Sequence, residues 1–104
     1  MDELILAFQN AMMGIYERAL SEADYKASDF LRMLNTHGGV ETARKLINSR
    51  RAPDGYTALW ERHRLDLTVE ALIHDNPEWH PLFSADDLGA CRRRLTEYGY
   101  FGPR

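Results

Sequence analysis

The chain has 104 residues, of which 44% are hydrophobic and 28% are charged, and its formal net charge is -3 at pH 7. This composition is typical of one folded domain and excludes an intrinsically disordered chain; the apolar runs are too short for a membrane span. The single cysteine, Cys91, excludes an internal disulfide framework and a cysteine-based zinc site. The chain starts with acidic residues, Asp2 and Glu3, where a signal peptide is basic, so we expect a cytoplasmic protein.

Apolar residues recur every three or four positions over residues 2–23, which predicts one long amphipathic helix. Its stripe consists of Leu4, Ile5, Phe8, Ala11, Met12, Ile15, Tyr16, Ala19, Leu20 and Ala23. A second helix is predicted over 27–36 and a third over 40–49, with Gly38 and Gly39 between them. We expect one of the two glycines to adopt a positive φ and end the second helix, because glycine does so at the least steric cost.

A loop is predicted over residues 49–57, because Pro53, Asp54 and Gly55 form a turn signature. A short helix is expected to follow over residues 57–63. This part of the chain therefore has the least regular structure in the prediction.

The remaining chain is predicted to form two further helices. Asp66 is suited to cap the first of them, which ends before Pro77 because proline cannot continue a helix. Residues 77–83 are expected to cross the core without regular structure and to pack Trp79, Leu82 and Phe83 against it. The last helix begins at the N-cap Ser84 and ends at Gly99. Its buried stripe consists of Leu88, Cys91, Leu95 and Tyr98.

No stretch of the sequence alternates for long enough with the period of two that a β-strand requires. The sequence also contains no internal repeat and no linker that would divide the chain. It therefore predicts an all-α fold, a compact single-domain bundle of five to six helices over residues 1–104 with a long N-terminal helix.

Only weak patterns point to catalysis or to a metal. Glu70 and His74 lie four residues apart on one predicted helix, and His80 follows Pro77, so a metal-dependent hydrolase is one alternative. Neither an HExxH motif nor a paired-cysteine spacing accompanies them. Cys91 shares a helical face with apolar residues, so we expect a buried, chemically quiet thiol. We predict no catalytic residue, no bound metal and no cofactor.

Two basic clusters interrupt this acidic chain. They consist of Arg44, Lys45, Arg50 and Arg51, and of Arg92, Arg93 and Arg94. With the hairpin of the second and third helices, which is similar in form to a helix-turn-helix, they make a nucleic-acid-binding module an alternative function. The overall negative charge is untypical of such a protein. The sequence leaves open whether the two clusters meet in space.

Four segments resemble the sequence pattern of a known domain family: residues 30–34 (FLRML), 38–43 (GGVETA), 54–57 (DGYT) and 64–72 (RLDLTVEAL). Over roughly residues 15–100 the chain resembles a small bacterial all-helical domain family without an assigned activity. The resemblance implies a helical module, standing alone or attached to other domains. It transfers no catalytic residue to this sequence.

The sequence carries ample structural patterning and no coherent catalytic set, which favours a non-enzymatic protein-interaction or regulatory module. Aromatic side chains are typical anchors of protein interfaces, and this chain has more of them than a small core requires. The predicted binding residues are Tyr56, Trp60, Trp79, Tyr100 and Phe101. We therefore expect a protein partner. Its identity, the oligomeric state, and whether the module inhibits, recruits or scaffolds stay open.

Overall fold

The fold is known from a computed structural model, which describes residues 2–102. The six α-helices are α1 (Asp2–Ala23), α2 (Ser28–His37), α3 (Gly39–Ile47), α4 (Asp54–Glu61), α5 (Val69–His74) and α6 (Ala85–Glu97). Two short 3₁₀ helices, Leu65–Leu67 and Pro77–Leu82, flank α5, and no strand occurs within residues 2–102. The predicted all-α class with a long N-terminal helix is confirmed. Within the described part of the chain, no helix has the length and apolar character needed to cross a membrane.

Helix α1 forms one side of the main core and packs against α2, α3 and α5. The side chains that it buries are Phe8, Met12, Ile15 and Ala19. The ring of Phe8 meets Trp79 and Phe83 edge to face, with centroids 5.4 and 5.3 Å apart. Ile5 and Leu20, which the periodicity places in the stripe, are exposed at the edges of this buried face.

The hairpin of α2 and α3 depends on two glycines. Gly38 ends α2 with φ 81° and ψ 171°, an extended conformation with positive φ that is essentially restricted to glycine, so the predicted positive φ is confirmed. Its N–H donates to the carbonyl of Leu34 at 2.9 Å. A Cβ added to Gly39 would lie 3.0 Å from the Cα of Gln9. Glycine at this position therefore allows α3 to lie directly against α1.

Two predicted helix starts are wrong. Helix α4 begins at Asp54 rather than at residue 57, because Pro53 is compatible with a helix start as well as with a turn. Thr68, not Asp66, caps α5, and its Oγ1 accepts a hydrogen bond from the N–H of Ala71 at 3.2 Å. Asp66 lies instead within the first 3₁₀ helix.

The start of α6 agrees with the prediction and links α6 to α3. Ser84 and Asp87 form a reciprocal capping box, in which each side chain accepts from the backbone N–H of the other at 3.1 Å. The side chain of Asn48, just after α3, donates to the same Asp87 carboxylate at 3.0 Å. Burial alone would raise the pKa of Asp87, but the hydrogen bonds from Asn48 and Ser84 outweigh it and lower this pKa.

The segment before α6 is more regular than expected. Residues 77–82 form a 3₁₀ helix, where the prediction has an irregular crossing. The expected burial of Trp79, Leu82 and Phe83 against the core is confirmed. The segment therefore closes the main core over α1.

Candidate functional site

The five aromatic residues predicted to bind a partner divide into two groups. Tyr56 and Trp79 are only 3% and 7% exposed, because α4 and the second 3₁₀ helix turn them into the core. This corrects the assignment of Tyr56 as a surface anchor; of the two predictions for Trp79, it confirms burial and corrects the binding role. Trp60 and Phe101 are 44% and 49% exposed, and Tyr100 is half-buried. Three of the five therefore remain available to a partner.

The available aromatic residues form one continuous surface. We call it the aromatic surface, and it consists of Trp60, Tyr98, Tyr100 and Phe101. Trp60 meets Tyr98 edge to face at 5.5 Å, and Phe101 meets Tyr100 at 5.3 Å. Trp60, Tyr98 and Tyr100 line an open concavity of about 620 Å³, whose rim includes Glu61. The concavity can accept an apolar or aromatic side chain of another molecule.

The backbone after α6 fixes this surface in place. Gly99 has φ 79°, and the N–H groups of Gly99 and Tyr100 donate to the carbonyls of Thr96 and Leu95. This pattern is a Schellman motif, which ends a helix and turns the chain back. The hydroxyl of Tyr100 donates to the carboxylate of Asp75. Burial, together with this hydrogen bond, raises the pKa of Tyr100 to about 12.

Sequence reasoning placed Tyr98 on the buried stripe of the last helix and so missed it as a surface residue. It is half-buried, and one edge packs on the buried Tyr56 at 5.0 Å while the other reaches Trp60. Its position three residues after Leu95 places it on the core face of α6. The outer edge of the Tyr98 ring stays uncovered because α6 ends there and the chain turns away at Gly99.

Arg94 is a structural residue, which corrects its assignment as a nucleic-acid contact. Its side chain is only 9% exposed and donates to the Glu70 carboxylate at 2.8 Å. The same guanidinium donates to the carbonyls of Leu46 and Ser49. Burial raises the pKa of Glu70, and the ion pair with Arg94 opposes this effect. Arg94 therefore joins α5, α6 and the end of α3.

The two basic clusters do meet, although only in part. Arg50, Arg51 and Arg93 line one groove of about 550 Å³ between the segment after α3 and helix α6. We call it the arginine groove. None of these three side chains pairs with a carboxylate of residues 2–102. Tyr98 lines both this groove and the concavity of the aromatic surface, so the two adjoin.

The other basic residues do not extend this groove. The guanidinium of Arg44 lies 3.8 Å from the carboxylate of Asp87 and donates to the backbone carbonyl of Leu82, so it is already engaged within the fold. Lys45 and Arg92 are exposed outside the groove. Helix α3 packs against α1, α2, α5 and α6 and buries Thr42 completely. Its exposed face carries Glu41 with Arg44 and Lys45, so an acidic residue lies among the basic ones where the recognition helix of a helix-turn-helix contacts DNA.

The three weak metal candidates are held apart by other partners. Glu70 pairs with Arg94, Nδ1 of His74 lies 3.0 Å from the Asp75 carboxylate, and Nε2 of His80 lies 2.9 Å from the carbonyl of Ile73. Among residues 2–102, no group of three His, Cys, Asp or Glu side chains is arranged to hold a metal. The geometry therefore offers no support for the hydrolase alternative.

Cys91 is fully buried, as predicted. Burial, together with the charges of Glu70 and Asp87, raises the pKa of its thiol to about 12. A thiol with so high a pKa holds almost no thiolate at neutral pH, and the thiolate is the nucleophilic form. Cys91 is thus a packing residue.

A second cavity, of about 320 Å³, lies among helices α1 to α5. Its apolar wall includes Ile15, Phe30, Met33, Leu59 and Val69. Its buried polar groups are the Glu70 carboxylate and the Tyr56 hydroxyl, which are hydrogen bonded to Arg94, and the Thr68 hydroxyl, which donates to the carbonyl of Leu65. The cavity thus offers apolar contact, while these three groups are engaged within the fold. No local sequence pattern indicates this cavity, because its walls come from five α-helices, the first 3₁₀ helix and the segments between helices.

Comparison with protein-family models, curated proteins and solved structures finds no match to this chain. Function must therefore be argued from the geometry of the described residues. That geometry presents two adjoining surfaces, the aromatic surface and the arginine groove.

Proposed function

We propose that this chain is a cytoplasmic, non-enzymatic protein-interaction or regulatory module and that the aromatic surface contacts its protein partner. The observation that supports this most strongly is the exposure of Trp60 and Phe101, which are 44% and 49% accessible. Tryptophan and tyrosine are enriched among the residues that dominate binding energy at interfaces. Clustered exposed aromatic residues on a small domain are typical of a contact site.

The rigidity of this surface favours the same function. Trp60 packs on Tyr98, which in turn packs on the buried Tyr56, and Tyr100 is held by Asp75. A surface that is already ordered loses little conformational entropy when a partner binds. Most of the free energy gained by burying these aromatic side chains at an interface can therefore appear as binding affinity.

Capture of partners by variants of the chain tests this proposal. The wild type, the double variant Trp60→Ala/Phe101→Ala and the control Leu6→Ala serve as immobilised baits in nuclease-treated host lysate. Leu6 is a matched control, because it is 62% exposed and apolar but lies on α1. We expect a protein that the wild type and the control capture and the double variant does not. Capture of the same proteins by all three baits would contradict the proposal.

Nucleic-acid binding is a second candidate, and the convergence of Arg50, Arg51 and Arg93 in one groove is the observation that favours it. The exposed face of α3, on which it first depended, carries Glu41 beside Lys45, and Arg44 is engaged within the fold. The remaining test is a salt titration, because phosphate contacts make affinity fall steeply as salt rises. Affinity for duplex or single-stranded DNA that falls in this way, and that Arg93→Ala weakens, would support this candidate.

A further inference from the structure

The arginine groove is lined by three arginines, and none of them forms an ion pair with Glu97 or with any other carboxylate among residues 2–102. Arg50 and Arg51 follow α3, Arg93 lies on α6, and all three are exposed. Like charges at close range repel one another, and this cost is lowered when an anion occupies the space between them. Guanidinium groups also present paired N–H donors, which match the oxygens of a phosphate or carboxylate.

The groove is ordered before any ligand arrives. Buried Arg94 donates to the carbonyl of Ser49, which fixes the backbone immediately before Arg50. The hydroxyl of Ser49 lies 2.9 Å from the carbonyl of Arg51, which restrains the next turn of the chain. Helix α6 holds Arg93 on the opposite wall. The positions from which the three guanidinium groups project are therefore fixed.

We propose that the arginine groove binds the phosphate of a phosphorylated side chain on the partner protein, while neighbouring partner residues contact the aromatic surface beyond Tyr98. This inference rests on the proposed protein-interaction function and specifies the chemistry of the partner. A phosphorylated side chain carries a charge of about -1.5 to -2 with three strong acceptor oxygens, which arginine clusters recognise.

A single phosphate fits this groove better than the backbone of a nucleic acid. Three arginines that have no carboxylate partner among residues 2–102 suit one phosphate group, whereas a continuous chain of phosphates needs a longer basic surface than this groove offers. With three phosphate contacts, the logarithm of the binding constant for single-stranded DNA falls by only about 2 for each tenfold rise in salt concentration. So few contacts correspond to weak binding. The net charge of -3 on the whole chain adds to the repulsion.

The first test uses O-phosphoserine as the probe and backbone amide NMR as the readout on the full chain. We expect chemical shift changes confined to residues 47–57 and 90–98, which line or flank the groove, and we expect O-phosphoserine but not serine to produce them. Arg93→Ala should weaken this binding about tenfold or more, because hydrogen bonds to charged groups are the strong ones. The matched control Lys45→Ala, which removes one positive charge from an exposed residue outside the groove, should change it less than about twofold. Shift changes elsewhere, or equal losses in both variants, would overturn the inference.

The second test separates this inference from the function on which it rests. The lysate used for capture is treated with phosphatase, and we expect the captured protein to be lost from the wild-type bait. If capture survives phosphatase but still requires Trp60 and Phe101, the phosphate site is wrong and the interaction function stands. If O-phosphoserine binds the groove while no protein depends on the aromatic surface, the interaction function is wrong. A single-stranded oligonucleotide provides the last control. If it binds with submicromolar affinity at about 150 mM salt and Arg93→Ala abolishes this binding, the phosphate site and the protein-interaction function are both wrong, and the groove recognises nucleic acid.

Discussion

Two groups of aromatic side chains share the same edge-to-face geometry but differ in exposure. Phe8, Trp79 and Phe83 meet at 5.3–5.4 Å and are each at most 8% exposed. In the aromatic surface the ring centroids lie 5.3–5.5 Å apart, yet Trp60 and Phe101 are nearly half exposed. Packing geometry alone thus does not distinguish a core from a contact site. What distinguishes them is whether another helix covers the outer edge of the rings.

Two adjacent arginines of α6 also differ in solvent exposure. Arg94 is buried and bonded to Glu70 and to two backbone carbonyls, whereas Arg93, one residue earlier, is exposed in the arginine groove. One residue corresponds to a rotation of about 100° around a helix. Adjacent residues of one type can therefore have opposite roles, structural and recognition.

The largest effect is expected in the buried aromatic group. Phe8→Ala should lower the free energy of unfolding by about 4 kcal/mol, because it removes a fully buried ring and its contacts with Trp79 and Phe83. Urea denaturation measures this change. The exposed Leu6 on the same helix provides the comparison, and Leu6→Ala should alter stability by less than about 0.5 kcal/mol. Equal effects of the two substitutions would break the distinction between the faces of α1.

A similar loss is expected at the buried ion pair. Arg94→Ala should lower the free energy of unfolding by about 3 kcal/mol, because it leaves the Glu70 carboxylate buried and unpaired. Thermal or urea unfolding at neutral pH measures the effect. Arg93→Ala should change stability by less than about 0.5 kcal/mol. A stable Arg94→Ala protein would show that its three bonds are not required to hold α3 and α6 together.

The capping box at the start of α6 should make a smaller, pH-dependent contribution. Asp87→Ala should cost about 1–2 kcal/mol at neutral pH, because it removes bonds from Ser84 and Asn48. The pKa of Asp87 is lower in the folded state than in the unfolded chain, so its contribution is present above the unfolded pKa and is lost as pH falls through the folded one. The wild type and the variant should therefore converge in stability below about pH 4. A difference that stays constant down to pH 2 would contradict the role of the charged carboxylate.

The sequence predicted those features that depend on neighbouring residues. The buried face of α1, the cap at Ser84 and the positive φ of Gly38 each follow from helical periodicity or from the chemistry of one or two side chains. The predicted cap of α5 was Asp66 rather than Thr68, because both residue types cap helices well, and no local pattern shows that Asp66 lies within a 3₁₀ helix that ends just before Thr68.

The candidate site was predicted less well, because exposure depends on contacts between distant parts of the chain. Tyr56 and Trp79 are buried by helices that local patterns do not place relative to one another. The burial of Arg94 had a usable signal, since it lies three residues after Cys91 and next to Leu95 on the core face of α6. A matching charge was present in Glu70, but no local pattern pairs residues 24 positions apart.

The central claim is that the aromatic surface serves binding and contributes little to stability. Its most direct test is to measure, for Trp60→Ala, both the free energy of unfolding and the affinity for the captured partner. We predict a stability loss of about 1 kcal/mol or less, because Trp60 is 44% exposed, and an affinity loss of about thirtyfold, typical of an interface hot spot. A stability loss of about 3 kcal/mol with unchanged affinity would show instead that the aromatic surface belongs to the core.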